Sequence, residues 1–202
     1  MLADEAFQSL VGAARCGAEW AWSRLVEDID CTLRGYVRRQ GGLDPDELVG
    51  ETWLHVARGI HRFEGDEVGF RSWVFMIAHH RIIDERRRRG RKPEELQDLR
   101  TLDRVGLSAR SAESEAMEWL EHDDLQEMLD QVSPAQREVL LLRFVGGFGI
   151  SEIADIVGKK AGAVQALQRR ALARLKKNLE TGSTRSLGLI GNKGNEAFHA
   201  TS

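Results

Sequence analysis

Between Lys159 and Lys177 the chain carries no acidic residue, and within that window Gln165, Arg169, Arg170 and Arg174 recur on one side of a helical pattern. Guanidinium groups neutralise phosphates, and Arg and Gln carry the donor and acceptor geometry that matches guanine and adenine edges. The chemistry on offer is recognition of a duplex. A second set lies in FRSWVFMIAHHRIIDERRRR, where Arg71, His79, His80, Arg81, Arg86, Arg87 and Arg88 are the polar positions and Phe70, Trp73, Val74, Ile77 and Ile82 the expected buried set. Such a cationic helix suits a displaced single strand, with most of the Arg run on phosphates. Four histidines, His55, His61, His79 and His80, are the raw material for a metal site. Adjacent histidines on a helix point in different directions, however, and no Cys stands near, so no metal is expected. No nucleophile and base pair and no phosphate-binding glycine loop appears, so neither enzymatic chemistry nor a cofactor is expected.

The basic segment needs elements that hold it still, and the residues before it provide them. Ser133 is a good N-cap, Pro134 suits the first helical position, and Gln136 stands where a capping box places its reciprocal acceptor. Val139, Leu140, Leu142 and Phe144 give this helix an apolar face, and Gly146, Gly147 and Gly149 stop it. A short helix capped by Ser151 follows, with Ile153, Ala154, Ile156 and Val157 inward and Gly158 closing it. In the third helix Val164, Leu167, Ala171 and Leu175 fall at i, i+3, i+7 and i+11, opposite the basic face. The three together read as a helix-turn-helix whose last helix enters a major groove. A solvated basic helix in an ordinary bundle is the competing reading.

Composition sets the frame. The 202 residues, 30% of them charged with only three Pro, favour an all-α fold, and the net charge of −3 argues against indiscriminate coating of nucleic acid. Charge is segregated: Arg81 to Lys92 is basic, Glu94 to Asp130 acid-rich, Lys159 to Lys177 basic again. The pattern divides the chain into a helical domain at 1–91, an acidic flexible linker at 92–117, a second helical domain at 118–179, and a Gly- and Ser-rich tail at 180–202 expected to be disordered. The linker is either a tether that sets domain spacing or simply soluble chain. Cys16 and Cys31 lack metal-type spacing, and buried structural roles are expected for both. No apolar run reaches transmembrane length and no signal-peptide pattern lies near Cys16, which points to a cytoplasmic protein without membrane insertion.

In the first domain Phe7, Leu10, Val11 and Ala14 begin a helix that Ala21, Leu25, Ile29, Leu33 and Val37 continue until Gly41. Asp44 caps the next, with Pro45 at its first position, through Leu48, Val49, Trp53 and Val56 to Gly59. A loop, RFEGDEVG, then leads to the helix from Phe70 to Arg89.

Taken in order, DPDELVGETWLHVARGIHRFEG, FRSWVFMIAHHRIIDERRRR and GAVQALQRRAL resemble the extracytoplasmic function (ECF) sigma factors of the sigma-70 superfamily, and the resemblance covers nearly all but the linker and tail. It implies two helical domains, sigma regions 2 and 4, and a non-enzymatic factor that binds bacterial core RNA polymerase and directs it to promoters. By resemblance Asp46, Glu47, Val49, Gly50, Glu51 and Trp53 would bind polymerase. Phe63, His80, Arg81, Arg86, Arg87 and Arg88 would recognise and melt the downstream promoter element, with Phe63 either a stacking residue or a core plug. Gln165, Ala166, Arg169 and Arg170 would read the upstream element, with Lys160 as a phosphate clamp. His80 departs from the Asn common at its position, which puts the downstream preference in doubt. The resemblance further implies an anti-sigma factor as partner. The rival readings are a stand-alone helix-turn-helix regulator and a sigma-like adaptor that occupies polymerase without opening promoters.

Overall fold

The computed structural model describes residues 4–41, 43–90 and 123–190, with side chains of the last segment from 125 to 178. The expected linker lies outside the described residues. What is described is helical, with no strand among the described residues: α1 (Asp4–Arg15), α2 (Glu19–Glu27), α3 (Asp30–Arg38), α4 (Pro45–Gly59), a 3-10 turn (Ile60–Arg62), α5 (Glu67–Gly90), α6 (Asp123–Asp130), α7 (Pro134–Phe144), α8 (Ile150–Val157) and α9 (Ala161–Ile190).

The first half of the chain differs from the sequence reading in one respect. The apolar spacing from Ala21 to Val37 suggests one helix, but α2 ends at Glu27 and α3 restarts at Asp30. A turn at Gly17, whose φ of 80° only glycine adopts without strain, separates α1 from α2. Three short helices let Phe7, Leu10, Leu25, Ile29, Leu33 and Val37 all reach one core, which a single straight rod would not allow. Against them packs the pair α4 and α5. Asp44 caps α4 by accepting from the Asp46 and Glu47 amides at 3.0 and 3.1 Å, with Pro45 in the first turn. Gly59 ends α4 where a Cβ would sit 2.8 Å from the Trp73 ring, so the missing side chain lets α5 lie close.

In the second half the Ser133 cap forms as expected, Ser133 Oγ accepting from the Gln136 amide and Gln136 Oε1 from the Ser133 amide. The cap of α8 is Gly149 instead of Ser151: the Gly149 amide donates to Glu152 Oε2 at 2.6 Å, and Ser151 is exposed inside the first turn. Gly158, at φ 64°, closes α8 in the left-handed region. The last helix runs to Ile190, into the stretch expected to be disordered, because extending a packed helix costs far less than nucleating one.

The halves touch. Helix α5 lies against α8, Phe148 packs edge-on against Phe75 with ring centroids 4.9 Å apart, and the Arg71 guanidinium stands 5.6 Å from the centre of the Phe148 ring. His79, expected among the polar positions of α5, is instead buried at this contact. The two cysteines correct another expectation, since Cys16 and Cys31 are both exposed thiols.

Candidate nucleic-acid interface

Helix α9 is held by its apolar stripe and displays the rest. Val164 and Ala171 are fully buried and Leu167 and Leu175 half-buried, whereas Gln165, Arg169, Arg170 and Arg174 are exposed and Ala166 lies half-buried at the edge of their face. Lys160 stands just before the helix, its carbonyl accepting from the Ala163 and Val164 amides at 2.8 and 3.1 Å. Its exposed ammonium therefore sits beside the positive end of the helix, a field that favours a phosphate. Ile150, Gly162, Gln165, Ala166, Arg169 and Leu172 line an open groove of about 590 Å³ along this surface. Arg170 folds back so that its Nε donates to the Ala166 carbonyl at 3.1 Å.

The residues on and before α5 are more internally committed. Phe63 is 9% exposed, stacked on Trp73 at 5.3 Å and edge-on to Phe70 at 5.2 Å, so its ring is part of the core. It also walls an open pocket of about 510 Å³ with Gly59, Arg62, Glu64, Gly69 and Trp73. His80 is exposed. Arg81 pairs with Asp84 at 3.0 Å, Arg87 with Asp84 at 3.7 Å, and Arg88 with Glu85 at 2.6 Å and Glu47 at 3.8 Å. Burial raises the pKa of the Glu85 carboxyl, but hydrogen bonds from Arg88 and Arg89 outweigh it and hold the group below the usual carboxylate range. Arg86 is turned inward, donating to the Gln40 carbonyl at 3.0 Å and to Gln40 Oε1 at 2.8 Å. Apart from Arg86, the Arg run is thus a surface of Arg–carboxylate pairs.

On α4 the expected protein-binding residues divide. Asp46, Glu47, Gly50 and Glu51 are exposed, with Asp46 paired to Arg34, but Val49 is wholly buried and presents nothing to a partner. Trp53 is half-buried, its Nε1 donating to Asp30 Oδ1 at 2.9 Å. Beside it Leu54 is 57% exposed, an apolar residue on the same face that the sequence reading passed over. The available signal was its position out of register with Leu48, Thr52 and Val56, the buried stripe. Phe144 and Leu172 are likewise exposed, although Phe144 was expected in the core of α7. Among the described residues no cluster of His, Cys, Asp and Glu could hold a metal, and no helix is long and apolar enough to cross a membrane.

This arrangement agrees with known proteins. Residues 25–92 match the family model for sigma-70 region 2, and residues 122–175 that for sigma-70 region 4. The ECF RNA polymerase sigma factor SigX of Bacillus subtilis is 30% identical over 139 residues, covering 67% of this chain and 70% of SigX. BldN, an ECF RNA polymerase sigma factor of Streptomyces coelicolor, is 30% identical over 168 residues, 82% of this chain; the chain spans 63% of the length of BldN. In fold the chain is similar to the sigma factor RpoE of Bartonella quintana, solved in complex with the anti-sigma factor NepR, with a TM-score of 0.62 at 23% identity over 79% of this chain and 96% of that one. With regions 2 and 4 matched in order on one all-helical chain, the protein belongs to the ECF sigma factors of the sigma-70 family.

Proposed function

We propose that this chain is a non-enzymatic initiation factor that binds bacterial core RNA polymerase in the cytoplasm and selects the promoters it opens. The observation that carries the reading is the exposed face of α9 from Gln165 to Arg174, free of acidic residues and held by a buried stripe, on the same chain as a region 2 with its own basic helix. In this reading Gln165, Arg169 and Arg170 contact base edges of the upstream element with Ala166 at their margin, and Lys160 clamps a phosphate. His80, Arg81, Arg87 and Arg88 track the downstream strand, and the Phe63 pocket receives an unstacked base. Asp46, Glu47, Gly50, Glu51 and Trp53, with Leu54, form the polymerase-facing surface; the buried Val49 supports it from below. An anti-sigma factor, the kind of partner seen with RpoE, restrains the chain.

Purified chain mixed with core polymerase and sheared genomic DNA, followed by sequencing of RNA 5′ ends, tests the whole proposal. Discrete starts downstream of two spaced motifs are expected. Tight DNA binding without polymerase would instead identify a stand-alone regulator, and core binding without starts an adaptor.

A further inference from the structure

Helix α1 precedes residue 25, where the match to region 2 begins, and it carries none of the residues placed on DNA or polymerase. Two of its polar side chains are nevertheless spent on one loop. From the end of α1 the Arg15 guanidinium reaches out with two nitrogens, Nε donating to the Ile60 carbonyl at 3.1 Å and Nη2 to the Phe63 carbonyl. Gln8, two helical turns earlier, donates through Nε2 to the Gly65 carbonyl at 2.7 Å. The three carbonyls belong to residues 60–65, a 3-10 turn followed by extended chain at Phe63. Within the turn the Phe63 amide donates to the Ile60 carbonyl at 3.2 Å, so the oxygen that closes the turn is one that Arg15 also holds. Helix α1 is itself fixed: Phe7, Leu10, Val11 and Ala14 are buried, and Trp22 Nε1 donates to the Ala14 carbonyl at 3.0 Å, next to Arg15. Phe7 lies 5.8 Å from the Phe70 ring, and Phe70 stands edge-on to Phe63, so α1 supports the loop from beneath its ring as well as at its backbone.

We infer that Arg15 and Gln8 are positioning residues for the downstream promoter strand: from α1 they clamp the 60–65 loop in the shape that keeps the Phe63 pocket ready for a base. Capturing an unstacked base already costs its stacking energy, and a loop that had to be ordered at the same moment would add a cost of its own. A short irregular segment has no ladder of backbone bonds to hold it and takes its shape from the rigid element beside it. Arg15 suits that task, because a planar fork bridging two carbonyls three residues apart fixes the turn more narrowly than a single donor does. Backbone and pocket are coupled at Gly65, where a Cβ would lie 3.1 Å from the Phe63 ring, so a shift of the loop moves the wall of the pocket. The positioning role rests on the reading of the Phe63 pocket as the receptor of an unstacked base; the clamp itself does not.

Two measurements on the full chain separate the clamp from its use. Hydrogen exchange at the Phe63 amide reads the clamp. Permanganate reactivity of thymines, in complexes with core polymerase on promoters located by sequencing RNA 5′ ends, reads the opened strand. Arg15→Ala is expected to speed exchange at Phe63 and to lower thymine reactivity, each by a factor of roughly ten, the smaller end of what a hydrogen bond from a charged donor carries. Affinity for core and for upstream duplex is expected to stay unchanged, because α4 and α9 carry those surfaces. Arg15→Lys keeps the charge but loses the fork, and is expected to restore only part of the loss. Gln8 is exposed, so Gln8→Ala leaves the core intact; it is expected to act in the same direction by a smaller factor, and keeps the test available if Arg15→Ala folds poorly. Unchanged exchange in both variants overturns the clamp. Faster exchange with unchanged thymine reactivity overturns the positioning role, and so does a loss of core or upstream binding as large as the loss of opening. A wild type whose loop is protected but which yields no starts with core leaves the clamp standing and overturns the reading of the pocket.

Discussion

Arg169 and Arg170 are sequence neighbours with unequal surroundings. Arg170 is tied back to the carbonyl of Ala166, while Arg169 lines the groove with Gln165. Arg169→Ala is therefore expected to cost about 1–3 kcal/mol on promoters carrying the preferred base pair and little on promoters lacking it, measured by competition binding across a set of single-base variants. A uniform loss across all sequences would reassign Arg169 to a phosphate. Glu85 yields a prediction of a different kind. Its folded pKa is depressed, so its contribution to stability is full above the ordinary carboxylate range and disappears as pH falls through the folded value. Chemical denaturation across acidic pH is expected to show the wild type losing stability faster than Glu85→Gln, whose amide does not titrate. Parallel pH dependences would show that the Arg88 and Arg89 contacts do not persist in solution. Because Arg88 is largely solvent-facing, the difference is expected to be small.

Helix boundaries show which local signals are strong. Pro45 after Asp44 and Pro134 after Ser133 mark two starts unmistakably, because each combines a side chain that caps free amides with a ring that fits only the first turn. Ser133→Ala is expected to lower stability by about 1 kcal/mol in thermal or chemical melts, with no change in DNA sequence preference. A shift in preference would mean that α7 sets the angle of α9 more directly than its packing indicates. Where the signal is a lone hydroxyl, it is weaker: Ser151 looks like a cap, but Glu152 reaches back to the Gly149 amide and starts α8 two residues earlier. The break between α2 and α3 carried no proline at all. It follows from the need to bring six apolar side chains to one core, a requirement that helical periodicity alone does not express.

At the scale of the molecule, the buried cluster of Tyr36, His79 and Glu138 joins the two halves, so heat is expected to unfold the wild type in a single calorimetric transition that divides into two in Glu138→Ala. One transition in both proteins would mean that other contacts couple the halves. By itself the sequence determined the helical class, the helix-turn-helix, the basic face of α9 and the family, because caps, turns and apolar periodicity act between residues a few positions apart. It left open whether Phe63 was a plug or a stacking surface, and placed Val49 on a binding face, Phe144 in a core, and His79 among solvated polar positions. Only the tertiary structure decided these, burying Phe63, Val49 and His79 and exposing Phe144. Burial depends on what arrives from elsewhere in the chain. Tyr36 and Glu138 stand 102 residues apart and His79 and Glu138 59 apart, and no local spacing records that they share one oxygen.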